Sequence, residues 1–214
     1  MSCEKLFWKD PYMTTLETCV TAVKDNMITL DKTIIYAFSG GQQSDSARIN
    51  GFDVLQAIKV DREIYYDMGA GHPFRVGEIV RLELDWQKRY RLMRLHFAAE
   101  IVLEWVYQNY NHPTKIGANI TEDKARVDFE WEGNISLIFE RLMQAFVKIV
   151  ADDLPIISDF NEGDTEQRYW EIEGFAKVPC GGTHIRRTGE IGKVKFKRSN
   201  PGQGKERIEI VLMD

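Results

Sequence analysis

Between Asp85 and Asn111 the sequence contains neither glycine nor proline, and in that stretch the spacing of its apolar residues changes. Tyr90, Met93, Phe97, Ile101 and Trp105 recur every three or four positions, as one face of a helix requires. A long helix is therefore expected from about Trp86. Everything before it has the shorter period of strands. Leu16, Thr18 and Val20 alternate, Ile28 and Leu30 do the same, and an apolar run follows at Ile34, Ile35 and Tyr36. Asp25-Asn26 reads as the turn of the first pair, and Asp61-Arg62 as a turn between strands at 54–60 and 63–67. Val80, Leu82 and Leu84 alternate again, after a loop at 69–73.

Many short strands joined by turns suggest a small β-barrel or sandwich. The expected class is α+β: a small N-terminal β-barrel-like domain over 1–87, then an α+β domain over 88–214. The second domain should hold another helix at 135–151, with the stripe Ile138, Leu142, Ala145, Phe146 and Ile149 and a stop before Pro155. Strands are expected at 168–173, 192–197 and 207–212.

A chain of 214 residues with 43% hydrophobic content can bury a sizeable core. Nowhere do 18 apolar residues follow one another, and Lys5, Glu4 and Asp10 break up the opening stretch. A cytoplasmic protein with no membrane association is expected. The odd, sparse set Cys3, Cys19 and Cys180 fits a reducing compartment better than a disulfide framework.

The formal net charge of -5 speaks against non-specific coating of nucleic acid, yet the charge is unevenly spread. Residues 152–173 carry Asp152, Asp153, Asp159, Glu162, Asp164, Glu166, Glu171 and Glu173 against Arg168 alone. In 186–207 the balance reverses, with Arg186, Arg187, Lys193, Lys195, Lys197, Arg198, Lys205 and Arg207 facing only Glu190 and Glu206. A second basic cluster, Lys88, Arg89, Arg91 and Arg94, precedes His96. Such runs are either solvated faces or the contact surface of a polyanion.

Chemistry concentrates in two places. Cys180-Gly181-Gly182-Thr183-His184 sets a thiol and an imidazole four residues apart in a glycine-rich turn, which can fold both onto one ion. The pair is equally compatible with a structural role. His96 and Glu100 lie one helical turn apart on one face, and are either half of a metal site or a helix-stabilising pair.

Four segments together go further. Residues 91–96 (RLMRLH), 180–184 (CGGTH), 187–192 (RTGEIG) and 39–42 (SGGQ) resemble the AlaX family, free-standing relatives of the alanyl-tRNA synthetase editing domain, and the similarity runs in order from Phe7 to Leu212. The resemblance implies one zinc ion and hydrolysis of the ester of mischarged tRNA, usually seryl-tRNA for alanine. It implies His96, Cys180 and His184 as ligands. Glu100 stands where the family has a second histidine, and Phe97 where threonine is common. Gly40, Gly41, Gln42 and Asp45 match a glycine-rich substrate motif, in which Gln43 and Ala47 replace proline and glycine. Thr33 matches a threonine linked with the serine hydroxyl.

Three states of Glu100 follow, in order of preference. It completes the zinc site, it stays beside a three-ligand zinc as a general base, or the metal has been lost. As a ligand it would, with Cys180, cancel the charge of the ion and weaken it as a Lewis acid. Backbone N–H groups of Gly181, Gly182 and Thr183 are candidates for stabilising the oxyanion. Lys88, Arg89, Arg186, Arg187, Lys193, Lys195 and Lys197 are candidates for tRNA phosphate contacts. The rival reading is a module of the same fold that binds tRNA or another RNA without catalysis; a weaker rival is a zinc hydrolase of small aminoacyl esters.

Overall fold

The structure, a computed structural model, describes residues 3–161, 163 and 167–213. Glu162, Asp164 and Glu166 of the acidic run lie outside the described residues. The chain is mixed α and β, and most of its elements are strands. Its contacts divide it into two compact units, 1–39 with 43–90 and 40–42 with 91–214.

In the first unit the strands are β1 (Glu4–Lys5), β2 (Thr15–Lys24), β3 (Met27–Leu30), β4 (Lys32–Thr33), β5 (Ala47–Ile49), β6 (Phe52–Asp53), β7 (Gln56–Val60), β8 (Glu63–Asp67) and β9 (Ile79–Leu84). Seven of them form one sheet in the order β6-β5-β9-β2-β3-β8-β7. Its end strands do not pair with each other among the described residues, so the expected barrel-like domain is a curled half-barrel and not a closed one. Two tight turns set its register. Asp25 and Asp61 both adopt left-handed backbone, at φ 53° each, which aspartate tolerates and which a two-residue hairpin demands.

Ile34, Ile35 and Tyr36 are buried but form no strand, contrary to expectation. Side chains replace the ladder there. The Ile35 N–H donates to Thr33 Oγ1 at 3.0 Å, and the Tyr36 N–H to Asp45 Oδ2 at 2.6 Å.

The second unit holds β10 (Lys115–Ile120), β11 (Ala125–Glu130), β12 (Ile157–Phe160), β13 (Arg168–Ile172), β14 (Ala176–Pro179), β15 (Val194–Gly202) and β16 (Lys205–Leu212). They make an antiparallel sheet β10-β11-β16-β15 and a smaller one, β12-β13-β14. Helix α1 (Trp86–Asn109) begins in the first unit and continues through the second. From Leu92 to Val106 it is buried on nearly every side, so it is a central helix with no solvent-exposed face there. Helix α2 (Phe139–Ala151) starts four residues later than expected, because Ile135–Ile138 form a tighter 3-10 turn capped by the Asn134 side chain. It buries Leu142 and Phe146, and Phe146 meets Phe196 of β15 edge-on at 5.4 Å.

Candidate functional site

Every residue of the site belongs to the second unit. Helix α1 supplies His96 and Glu100, the loop after β14 supplies Cys180 and His184, β13 supplies Trp170, and β12 supplies Ser158. His96 Nε2 lies 3.5 Å from Cys180 Sγ, and His184 Nε2 lies 3.3 Å from the same sulfur. Ligand atoms of His96, Cys180 and His184 all fall within 4.8 Å of one another. Donors sharing one tetrahedral ion, at bonds of about 2.0–2.3 Å, sit roughly 3.3–3.8 Å apart. The three residues fit a metal ion.

Both imidazoles are turned by their other nitrogen. His96 Nδ1 donates to the Thr183 carbonyl at 3.2 Å, and His184 Nδ1 shares a hydrogen bond with the Ser158 hydroxyl at 2.8 Å. Each ring thereby presents Nε2 to the sulfur, the orientation that a metal-binding histidine needs. Glycine at 182 is obligatory for this packing. A Cβ there would come within 2.1 Å of His96 Cε1 and 2.8 Å of Gln42 Oε1.

Glu100 reaches the cluster with one oxygen. Oε1 is 3.4 Å from His96 Nε2 and 4.0 Å from Cys180 Sγ, while Oε2 accepts from the Trp170 indole at 2.8 Å. Burial alone would raise the Glu100 carboxyl, but its bond to His96, the His96 charge, the Trp170 bond and Lys115 outweigh it and hold it below the ordinary value. Burial likewise works against a charged His96, yet the Cys180 sulfur and the Glu100 carboxylate carry it well above the usual imidazole range. Burial pushes His184 well below that range, aided by the charges of His96 and Arg168.

The glycine-rich loop joins this site through Gln42. Gly41 accepts the Ile120 N–H at 2.8 Å, and its φ of 88° together with an Ala118 carbonyl 2.5 Å from any Cβ leaves room for glycine alone. Gln42, buried, clamps Thr183 from both sides. Its amide donates to Thr183 Oγ1 at 2.8 Å and its oxygen accepts the Thr183 N–H at 3.2 Å. The Thr183 N–H is therefore engaged, which corrects its expected role as an oxyanion donor. Gly181 is exposed at the lip of the loop, and the Gly182 carbonyl accepts from Arg168 at 3.0 Å. Gly40, at φ 59°, has open space where a Cβ would stand.

Other expectations are corrected too. Arg89 is fully buried, and its guanidinium grips Asp45 at 2.8 and 2.5 Å while also donating to the carbonyls of Pro11 and Ile34. It cannot meet a phosphate. Its partner Asp45, whose side chain is equally inaccessible, holds the first unit together and does not face a substrate. Lys88 is half-buried, with its ammonium donating to Ser46 Oγ at 3.0 Å. Arg186 and Arg187 are both exposed, Arg187 pairing with Asp153 at 2.6 Å in a solvent-open ion pair, so neither expectation is overturned. Thr33 is buried within the first unit, and its hydroxyl accepts from Tyr66 at 2.7 Å.

Lys193, Lys195 and Lys197, by contrast, are exposed and have no ion-pair partner among the described residues. Sequence reasoning missed Trp170 and Ser158. The available signal for Trp170 was its central place in an alternating strand, since a buried indole N–H has to find an acceptor. Nothing local marks Ser158.

Comparison with known proteins places this geometry. Residues 168–209, which include Trp170, Cys180 and His184, match the threonyl and alanyl tRNA synthetase second additional domain. The alanyl-tRNA editing protein AlaX-M of Methanosarcina acetivorans is 29% identical across 99% of both chains. An alanine–tRNA ligase of Methanococcus maripaludis is 30% identical across 96% of this chain, which spans 25% of that larger protein. The AlaX-M protein of Pyrococcus horikoshii is 36% identical across 97% of both chains, and with that likeness running end to end the chain belongs to the AlaX-M family of alanyl-tRNA editing proteins.

Proposed function

We propose that the chain is a zinc-dependent deacylase that hydrolyses the ester of tRNA charged with the wrong amino acid, seryl-tRNA for alanine being the substrate. The observation that carries this reading is the His96, Cys180 and His184 cluster, its two histidines buried and its cysteine partly so, in a chain alike end to end with a named editing protein. The two imidazoles and the thiolate would hold the zinc, with Glu100 as the fourth donor. Bound there, zinc supplies Lewis acidity toward an ester carbonyl or a water molecule.

The chain's own groups do the rest. The backbone N–H of Gly182 is assigned to the oxyanion, that of Thr183 being held by Gln42. Gly40 and Gly41 bring bare backbone to the acceptor end. Lys195 and Lys197 share one face of β15, Lys193 lies just before it, and the three meet the phosphates without reading sequence.

The test is deacylation of seryl-tRNA for alanine by protein purified without chelator, then after zinc removal and again after zinc is restored. Activity should vanish and return with the metal. A protein that binds the tRNA equally well in all three states and never releases serine would be the non-catalytic RNA-binding module, and would end this reading. Release of serine from a small seryl ester, but not from tRNA, would favour the small-ester hydrolase.

A further inference from the structure

The two helix positions that depart from the family pattern, Phe97 and Glu100, meet at a third residue, Trp170. Its side chain is fully buried, edge-on to Phe97 at 5.1 Å and stacked with Phe175 at 6.5 Å. Phe97 in turn meets the His184 ring edge-on at 5.7 Å. The indole so fixed has one polar atom, and it donates to Glu100 Oε2 at 2.8 Å. Only Oε1 then faces His96 Nε2, at 3.4 Å, and Cys180 Sγ, at 4.0 Å. An unrestrained carboxylate turns about a broad terminal torsion and can offer one oxygen or both.

We propose that Trp170 is a positioning residue which, by holding Oε2, makes Glu100 a one-oxygen donor toward the ion held by His96, Cys180 and His184. A glutamate can then do what an imidazole does, presenting one donor atom from a fixed direction. A carboxylate that took the ion with both oxygens would occupy the open position that a catalytic site keeps for water or substrate. The neutral indole restrains the carboxylate without cancelling its charge, which a lysine or arginine in its place would do. Phe97 completes the arrangement by packing against the indole on one side and the His184 ring on the other. The proposal rests on the reading of the cluster as a metal site, and is independent of whether tRNA is the substrate.

Zinc affinity, measured by competition with a chromophoric chelator, and the visible spectrum of the cobalt(II) form test it. Trp170→Phe keeps a ring and removes the N–H. It should weaken zinc binding on the order of 10-fold, as loss of an outer partner does, and lower the cobalt absorption as the second oxygen joins. In a Glu100→Ala background the same change should shift affinity less than about twofold, because no carboxylate remains to hold. An equal loss in both backgrounds would show that Trp170 acts through packing alone and would overturn the proposal, as would unchanged affinity and spectrum in Trp170→Phe.

If Trp170→Phe does not fold, the indole 15N–1H resonance of Trp170 decides. It should resist solvent exchange in the zinc-loaded protein and lose its hydrogen-bonded shift in Glu100→Ala; identical resonances refute the contact. A wild-type chain that takes up neither zinc nor cobalt overturns the metal reading and this proposal together, whereas wild-type uptake with indifferent Trp170 variants overturns this proposal alone.

Discussion

Adding one methyl group to the metal loop should separate its two glycines. In Gly182→Ala the new Cβ would stand 2.1 Å from His96 Cε1, against an ordinary contact of at least 3.4 Å, so the ring must retreat by 3.4 − 2.1 = 1.3 Å. It has nowhere free to go. The same Cβ crowds His96 Nδ1 at 2.7 Å and Gln42 Oε1 at 2.8 Å, and any retreat breaks the 3.2 Å bond to the Thr183 carbonyl. A zinc–nitrogen bond tolerates deviations of about 0.2 Å, so a displacement of that size removes His96 as a ligand. Zinc affinity should fall at least 100-fold, the upper end of the ~10–100-fold seen when a ligand's orientation is lost, or about 2.8 kcal/mol. The overpacked loop should also lower stability by about 1–3 kcal/mol. Gly181→Ala is the internal control, because a Cβ there meets nothing within 4 Å. Chelator competition on both variants, with unfolding followed by circular dichroism, gives the comparison. If the two variants bind zinc alike, the approach of His96 to residue 182 is not what places the ligand, and the reasoning fails.

Arg89→Ala would strand the Asp45 carboxylate in the core of the first unit, and denaturant unfolding should show a loss of about 3–5 kcal/mol; a loss under about 1 kcal/mol would mean the pair is not buried in solution. Replacing Lys193, Lys195 and Lys197 by glutamine should weaken tRNA binding and flatten its salt dependence by up to about two to three units of slope, with zinc content unchanged. An unaltered slope would move the phosphate face elsewhere. Zinc uptake should be pH-dependent through His96, whose pKa is raised by the Cys180 sulfur and the Glu100 carboxylate, because the metal has to displace that proton. That proton contributes stability below the ordinary value of 6.5 that is lost as pH rises through the raised one, so the metal-free fold should weaken and apparent zinc affinity strengthen over the same rise. The depressed Glu100 works from the other side, its contribution present above 4.5 and lost as pH falls through its lowered value. Affinity titrated against pH that stays flat would contradict the His96 assignment.

Local sequence was enough wherever the determinants were local. Helix α1 could be read because no breaker interrupts 86–109 and its apolar residues keep helical spacing, and the two hairpin turns because aspartate at 25 and 61 suits left-handed backbone. Strands β10 and β11 could not. Lys115–Ile120 contains only two large apolar residues, and β11 finds its second neighbour in β16, some eighty positions on, so pairing and not propensity makes them strands. The run Ile34–Tyr36 fails for the opposite reason. It has strand composition, but Thr33 and Asp45 supply the hydrogen bonds that a neighbouring strand would have given. At the candidate metal site, local spacing left each pair open to a structural role, and the family resemblance joined them; the hydrogen bonds of Trp170, Ser158 and Gln42, which aim the side chains, come from residues far away in the chain.

The two basic runs show why charge read along a line misleads on a helix and not on a strand. Lys88, Arg89, Arg91 and Arg94 look like one cluster, but at 3.6 residues per turn they point in different directions and each finds an internal acceptor. Lys88 bonds Ser46, Arg89 bonds Asp45, Arg91 donates to the Glu122 carbonyl at 2.8 Å, and Arg94 to the Ile191 carbonyl at 2.8 Å. Their charges are anchors for loops. Along β15 the period is two, so Lys195 and Lys197 fall on one side by geometry alone, with exposed Lys193 just before the strand, while Phe196 is buried. These side chains cannot all reach the acids of their own sheet: opposite Lys195 stands Val211, and Glu209, opposite Lys197, is already bonded to Lys124 at 2.6 Å. The strand lysines are left to the solvent and whatever anion arrives from it, which is why the phosphate contacts of a bound tRNA are assigned to them and not to the helix.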